Sequence, residues 1–150
     1  MKSIFILLMA AAVCMTACTK KSSSIATPVT NTPIPANDVL DSTNAVLRFE
    51  GSFKSGPWGT VTGIARVYES NGKWQLRLTN FSTSSGPDLK VYLSKERQPL
   101  NFIKLGNLKS FSGSQSYSIA TVPDFTQYRY ALIHCEQFNH LFGSAELMMP

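Results

Sequence analysis

The run Trp74-Gln75-Leu76-Arg77-Leu78-Thr79-Asn80-Phe81 alternates strictly over its first six residues, with Trp74, Leu76 and Leu78 on one side and Gln75, Arg77 and Thr79 on the other. A period of two is the signature of a strand with one buried face, and no helix can accommodate it. Immediately upstream stands Ser70-Asn71-Gly72, preceded by the apolar and β-branched run 60–68 (TVTGIARVY). Asn-Gly accepts the positive φ that a tight hairpin turn demands. The spacing therefore predicts a hairpin across Tyr68 to Leu76.

The same vocabulary recurs along the rest of the chain. Strands are expected at Val46 to Phe53, Thr60 to Tyr68, Trp74 to Phe81, Leu89 to Ser94, Phe102 to Leu105, Ser116 to Ile119, Tyr128 to Cys135 and Ala145 to Met148. About eight short strands with Gly and Pro punctuation indicate an all-β domain, a β-sandwich or barrel with mainly antiparallel pairing. The best helix candidate, Glu136 to Phe142, amounts to a turn or two. The glycines read as turn or bulge positions, and Asp88, after Gly86-Pro87, reads as a turn former whose side chain bonds local backbone amides.

Upstream of this domain the sequence changes character. Lys2 and the uncharged apolar run Ile4 to Val13 form a secretory signal, too short to span a bilayer, which takes about 20 residues. Met15-Thr16-Ala17-Cys18 is similar to the lipobox of lipoprotein precursors. The expected organisation is a signal peptide at 1–17, the lipidated Cys18 and a disordered linker at 18–44, and one folded domain at 45–150. The linker is rich in Ser, Thr, Pro and Asn and lacks aromatics, so ordering it would bury too little apolar surface. Its r.m.s. reach is roughly 25–30 Å. The expected location is the cell envelope, with the lipid holding the protein to a membrane.

Charge narrows the partners. The chain has 14 basic and 9 acidic residues, and loss of Lys2 with the signal leaves a net charge of +4. The basic residues are scattered, without the clustered stripe of a nucleic-acid binder; no nucleic-acid partner is expected. The carboxylates are likewise scattered, and no nucleophile-elbow pattern occurs. Trp58 and Trp74 read as core or half-buried packing, with lining of a binding face as the alternative.

With Cys18 committed to lipid, Cys135 is left unpaired in an oxidising compartment. Three readings are open: a small buried hydrophobe, a thiol that pairs with another molecule, or a redox or ligand group. Both histidines of the chain, His134 and His140, lie within five residues of it. In a strand, His134 and Cys135 point to opposite faces, and Cys135 meets His140 only if the intervening loop folds back. The cluster does not supply the four ligands of a structural zinc site.

Three blocks carry a resemblance. The first is Leu78-Thr79-Asn80-Phe81 with Gly86-Pro87-Asp88-Leu89-Lys90-Val91-Tyr92-Leu93-Ser94. The second is Leu105-Gly106-Asn107-Leu108-Lys109 with Gly113-Ser114-Gln115-Ser116-Tyr117-Ser118-Ile119. The third is Ala131-Leu132-Ile133-His134-Cys135-Glu136-Gln137-Phe138 with Phe142-Gly143-Ser144-Ala145-Glu146-Leu147. In order and spacing the region from Val46 to Leu147 resembles the DM-thirteen domain, the electron-transfer domain of Skeletor-like proteins. The resemblance implies a small all-β extracytoplasmic domain, of a kind often found near haem-binding DOMON-type domains. Its signature cysteine, proposed in that family to serve redox chemistry as a thiol or as a ligand to a prosthetic group, falls on Cys135. The preceding position, commonly aromatic in the family, is His134 here. The resulting expectation is an envelope electron-transfer accessory using Cys135, with an envelope redox partner; the alternative is a non-catalytic binding or structural module with Cys135 in its core. No C-x-x-C-H is present, so a haem would be held non-covalently, by ligands drawn from Cys135, His134, His140, Met148 and Met149.

Overall fold

The computed structural model describes residues Asn44–Pro150. The signal peptide, Cys18 and nearly all of the linker lie outside the described residues. Eight strands follow one another: β1 (Val46–Ser55), β2 (Val61–Ser70), β3 (Lys73–Thr83), β4 (Leu89–Ser94), β5 (Phe102–Asn107), β6 (Ser112–Ile119), β7 (Tyr130–Cys135) and β8 (His140–Glu146). All pair antiparallel in a single sheet of order β5-β4-β7-β8-β1-β2-β3-β6. No helix among the described residues is long and apolar enough to cross a membrane.

The expected β2–β3 hairpin is present, with Ser70 opposite Lys73 and Asn71 at φ 51°. Leu76 and Leu78 are fully buried and Arg77 is exposed, as the alternation requires. The sheet nearly closes on itself. β1 pairs with β2 through Val46 to Ser52, then with β8 through Phe53 to Ser55, so one strand serves both halves of the sheet. The opposite seam lies between the edge strands β5 and β6, which touch. Residues 108–111 bridge it. The Leu108 amide donates to the Leu89 carbonyl at 2.8 Å, the Lys109 amide donates to the Tyr117 hydroxyl at 3.0 Å, and the Phe111 carbonyl accepts from Thr83 at 2.9 Å. The interior is filled from both halves by Val61, Val67, Leu76, Leu78, Phe81, Val91, Leu93, Ile133 and Phe142, among others.

Three local expectations are corrected. The segment from Glu136 to Phe142 is no helix: Glu136 to Asn139 form a turn, with Asn139 at φ 53°, and β8 begins at His140 rather than Ala145. Gly51 and Gly143 are not turn residues; they lie inside β1 and β8, where strands approach too closely for a side chain. The Asp88 carboxylate is held by Lys90 Nζ two residues on, across the start of β4.

β4 and β7 are covered on both faces. Leu89, Val91 and Leu93, with Ala131, Ile133 and Cys135, face the main core. Tyr92, Leu132 and Leu141 form a second, smaller cluster on the outer face, with Tyr130 packed against it. That outer cluster creates the surroundings of the candidate site.

Candidate functional site

Cys135 is the last residue of β7. It pairs across the sheet with Leu89 of β4 and with His140 of β8. Its thiol is free and has no exposed surface. His140, its partner across the hairpin, is half-buried, and the indole of Trp58 lies flat on it with ring centres 3.8 Å apart and planes 2° apart. Trp58 is itself 59% exposed, so it is a surface residue rather than core packing, while Trp74 is half-buried against Phe125 as expected. Phe138, also exposed, lies near His140 with centroids 5.8 Å apart.

His134 points away from Cys135, as the strand period demands. It pairs with Lys90 of β4 and lies on the outer face, 4% exposed, with its ring 5.7 Å from that of Tyr92. Burial lowers its pKa, against the hydrogen bond its ring makes to Asn139 and the charge of Glu136; near neutral pH the imidazole is therefore uncharged. Its Nδ1 is buried without a hydrogen-bond partner.

Around His134 runs a polar network that sequence reasoning missed. The Tyr92 hydroxyl donates to Glu136 at 2.5 Å, and Lys104 pairs with the same carboxylate at 2.8 Å. Lys90, nearly buried, bridges Asp88 and the Asn107 side chain and stands 3.9 Å from Glu136. The acidic residues taken as scattered are thus partly gathered here. Lys104 and the Tyr92 hydroxyl hold the Glu136 carboxyl below the usual range. Burial, then Glu136, pushes the Tyr92 phenol well above its ordinary value, so it stays protonated. In sequence, Lys90 and Tyr92 stand two apart in a short apolar strand, which signals one polar-tipped face. The pairing with Glu136, 44 residues on, left no local trace.

Beside this network a pocket of about 240 Å³ is lined by Tyr92, Pro99, Phe102, His134, Glu136 and Asn139. That volume is below the roughly 300–1,000 Å³ of ordinary cofactor pockets, and so too small for a haem. A larger hollow, about 490 Å³, is lined by Trp74, Ile119 and Val122 among others and offers no His, Cys or Met. Met148 and Met149 are exposed near the chain end. Among the described residues no three His, Cys, Asp or Glu side chains are grouped to hold a metal. The described residues do not fit a haem or a metal ion.

A single antiparallel sheet nearly closed into a barrel, with an unpaired thiol in its wall and a polar network outside it, defines a small all-β module. The chain belongs to the Electron transfer DM13 family, whose model matches residues 52–147. No curated protein and no solved structure matches the chain.

Proposed function

We propose that the protein is a lipid-anchored component of the cell envelope whose DM-thirteen domain acts as an electron-transfer accessory at the end of the barrel around Cys135. The observation that carries this reading is the family match across nearly the whole folded domain. Lys2, the apolar run after it and the Met15-Thr16-Ala17-Cys18 box support the anchor. In this reading Cys135 is an insulated group: burial keeps its thiol from reagents in solution, and its cross-strand partner His140, stacked under Trp58, links it to the surface. A redox partner in the envelope would dock over that exposed indole.

One observation favours a second reading. A free cysteine with no exposed surface, packed in the main core, is what a residue present only for packing looks like. The domain is then a non-catalytic binding or structural module.

The experiment is electrochemical. The mature chain in detergent is adsorbed on an electrode and compared with Cys135→Ala. The first reading expects a reversible response that the substitution abolishes while the fold, followed by circular dichroism, is retained. A silent electrode for the unsubstituted protein, or an unchanged response in the variant, would sink the role of Cys135 and leave the second reading. For the anchor, Cys18→Ala is expected to move the protein from the membrane to the soluble fraction; continued membrane association would refute it.

A further inference from the structure

We infer that the outer face of the β1–β8 pair, where it meets Arg97, is a binding site for the phosphate group of a phosphate monoester. The site is separate from the surroundings of Cys135 and does not depend on the electron-transfer reading.

The site begins in the strand register. Lys54 pairs with Ser144 next to the pair Phe53–Ala145, and the Glu50–Met148 bridge continues the same ladder beyond Ser52 and Glu146. Phe53 and Ala145 are buried in the core. By the two-residue period of a strand, Ser52, Lys54, Ser144 and Glu146 therefore all point outward. Two short side chains thus lie among long ones. The serines form a floor. Lys54, Glu146 and Met148, with Arg97 from the connection between β4 and β5, form the walls of a hollow of about 200 Å³. Its donors are within reach of solvent: Ser52, Lys54 and Arg97 are exposed and Ser144 is half-buried.

Charge selects the ligand. Arg129 holds the Glu146 carboxylate at 2.5 Å, and Arg97 reaches the same group only at 3.4 Å. Lys54 has no anionic partner among the described residues. Three cations against one carboxylate leave a local charge of +2. A phosphate monoester brings about −1.5 to −2 at neutral pH and matches that excess; a carboxylate cancels only half of it. Exposed ion pairs are weakly held, so the long contact of Arg97 to Glu146 yields readily to a better anion.

The donors also suit a tetrahedral group. A guanidinium offers a planar fork for two phosphate oxygens. Lys54 supplies a point charge from the strand side, and the two serine hydroxyls can donate from beneath. A planar carboxylate is filled by one fork and leaves the other donors unused. The hollow is smaller than the roughly 300–1,000 Å³ of sites that enclose a whole small molecule. It therefore takes the phosphate and leaves the rest of the ester outside.

The test is calorimetric titration of the mature chain in non-ionic detergent with glycerol phosphate, at neutral pH and low salt. The expected result is saturable binding with a dissociation constant of about 1 mM or tighter. Lys54→Gln and Arg97→Gln are each expected to weaken it at least about tenfold, and Lys73→Gln, at the β2–β3 turn, to leave it unchanged. All three side chains are exposed, so the variants are expected to fold. Acetate is expected to bind at least about tenfold more weakly than glycerol phosphate. Failure to saturate, equal binding of acetate, indifference to both site substitutions, or equal weakening by Lys73→Gln would overturn the site. A second titration, with dihexanoyl phosphatidic acid, separates the two sources of such a group. Binding tighter than that of glycerol phosphate, and lost in Lys54→Gln, assigns the site to a lipid headgroup; any other result, with glycerol phosphate bound as expected, assigns it to a soluble ester.

Discussion

Cys135 and His140 stand opposite one another across the β7–β8 hairpin, yet solvent reaches only the histidine. The four-residue turn Glu136 to Asn139 brings them together, and the core of the barrel closes over the thiol. The native thiol is therefore expected to resist alkylation, with its reaction rate set by opening of the domain rather than by its own acidity. Rapid labelling under native conditions, as fast as in the denatured chain, would contradict the closed core.

The same burial sets the cost of substitution. Cys135→Ser puts a hydroxyl into the main apolar cluster and is expected to destabilise by about 1–3 kcal/mol. Cys135→Ala, which leaves a small cavity and no polar atom, is expected to cost less than Cys135→Ser. Urea denaturation of the two variants side by side gives the comparison, and the reverse order would mean that the thiol has a polar neighbour.

A methyl group on Gly51 would lie 2.0 Å from the carbonyl oxygen of Glu146, a backbone atom that cannot step aside. Gly51→Ala must push β1 from β8 at the point where β1 changes partners. A loss of about 3 kcal/mol or more is expected, at the upper end for overpacked sites. Gly72→Ala, in open space at φ 76°, is expected to lose only about 1–2 kcal/mol from left-handed backbone strain. Equal melting temperatures for the two variants would contradict the close approach.

His134 ties stability to pH. Its pKa is lowered in the folded protein, chiefly by burial, from an ordinary value of 6.5. On acidification the unfolded chain takes up a proton near 6.5 while the folded domain resists, so stability falls with pH below 6.5 and levels off beneath the folded pKa. Glu136, also lowered, adds a loss of the same sign at more acidic pH, through and below its ordinary 4.5. His134→Phe is expected to flatten the first slope and keep the second, as read from unfolding free energies across the range. A first slope that survives in the variant would assign it elsewhere.

Tyr92→Phe removes the hydroxyl that Glu136 accepts at 2.5 Å. Because Glu136 is exposed, water can take the lost place, and the expected cost is about 1 kcal/mol rather than that of a fully buried bond to a charge. The clearer sign is the titration of Glu136 by carbon NMR, whose midpoint is expected to move up toward the ordinary carboxylate value. No movement would mean that Lys104 and Lys90 hold it down without the hydroxyl.

How far the sequence could be read depended on whether one strand face or two are buried. β2, β3 and β4 were legible because alternation or a compact apolar run sits between clear turns, and Asn71-Gly72 fixed the hairpin. β8 was not: Leu141 enters the outer cluster while Phe142 enters the main core, and a register shift lies beside them, so the strand start shows no period of two. The polar beginning of β6, Ser112 to Gln115, hid its first half in the same way. At the site, alternation placed His134 and Cys135 on opposite faces. It could not show Tyr92, Lys104 and Glu136 meeting, because that depends on which strands become neighbours.

The division of β1 between two partners also governs the order of assembly. Lys54 pairs with Ser144, about ninety residues away along the chain. The β2–β3 hairpin can form early from local contacts, but the barrel wall stays incomplete until β8 has been synthesised, and pairings this distant form slowly. A chain arranged in this way keeps an open, unpaired wall for as long as β8 is withheld, and closes only when that strand arrives.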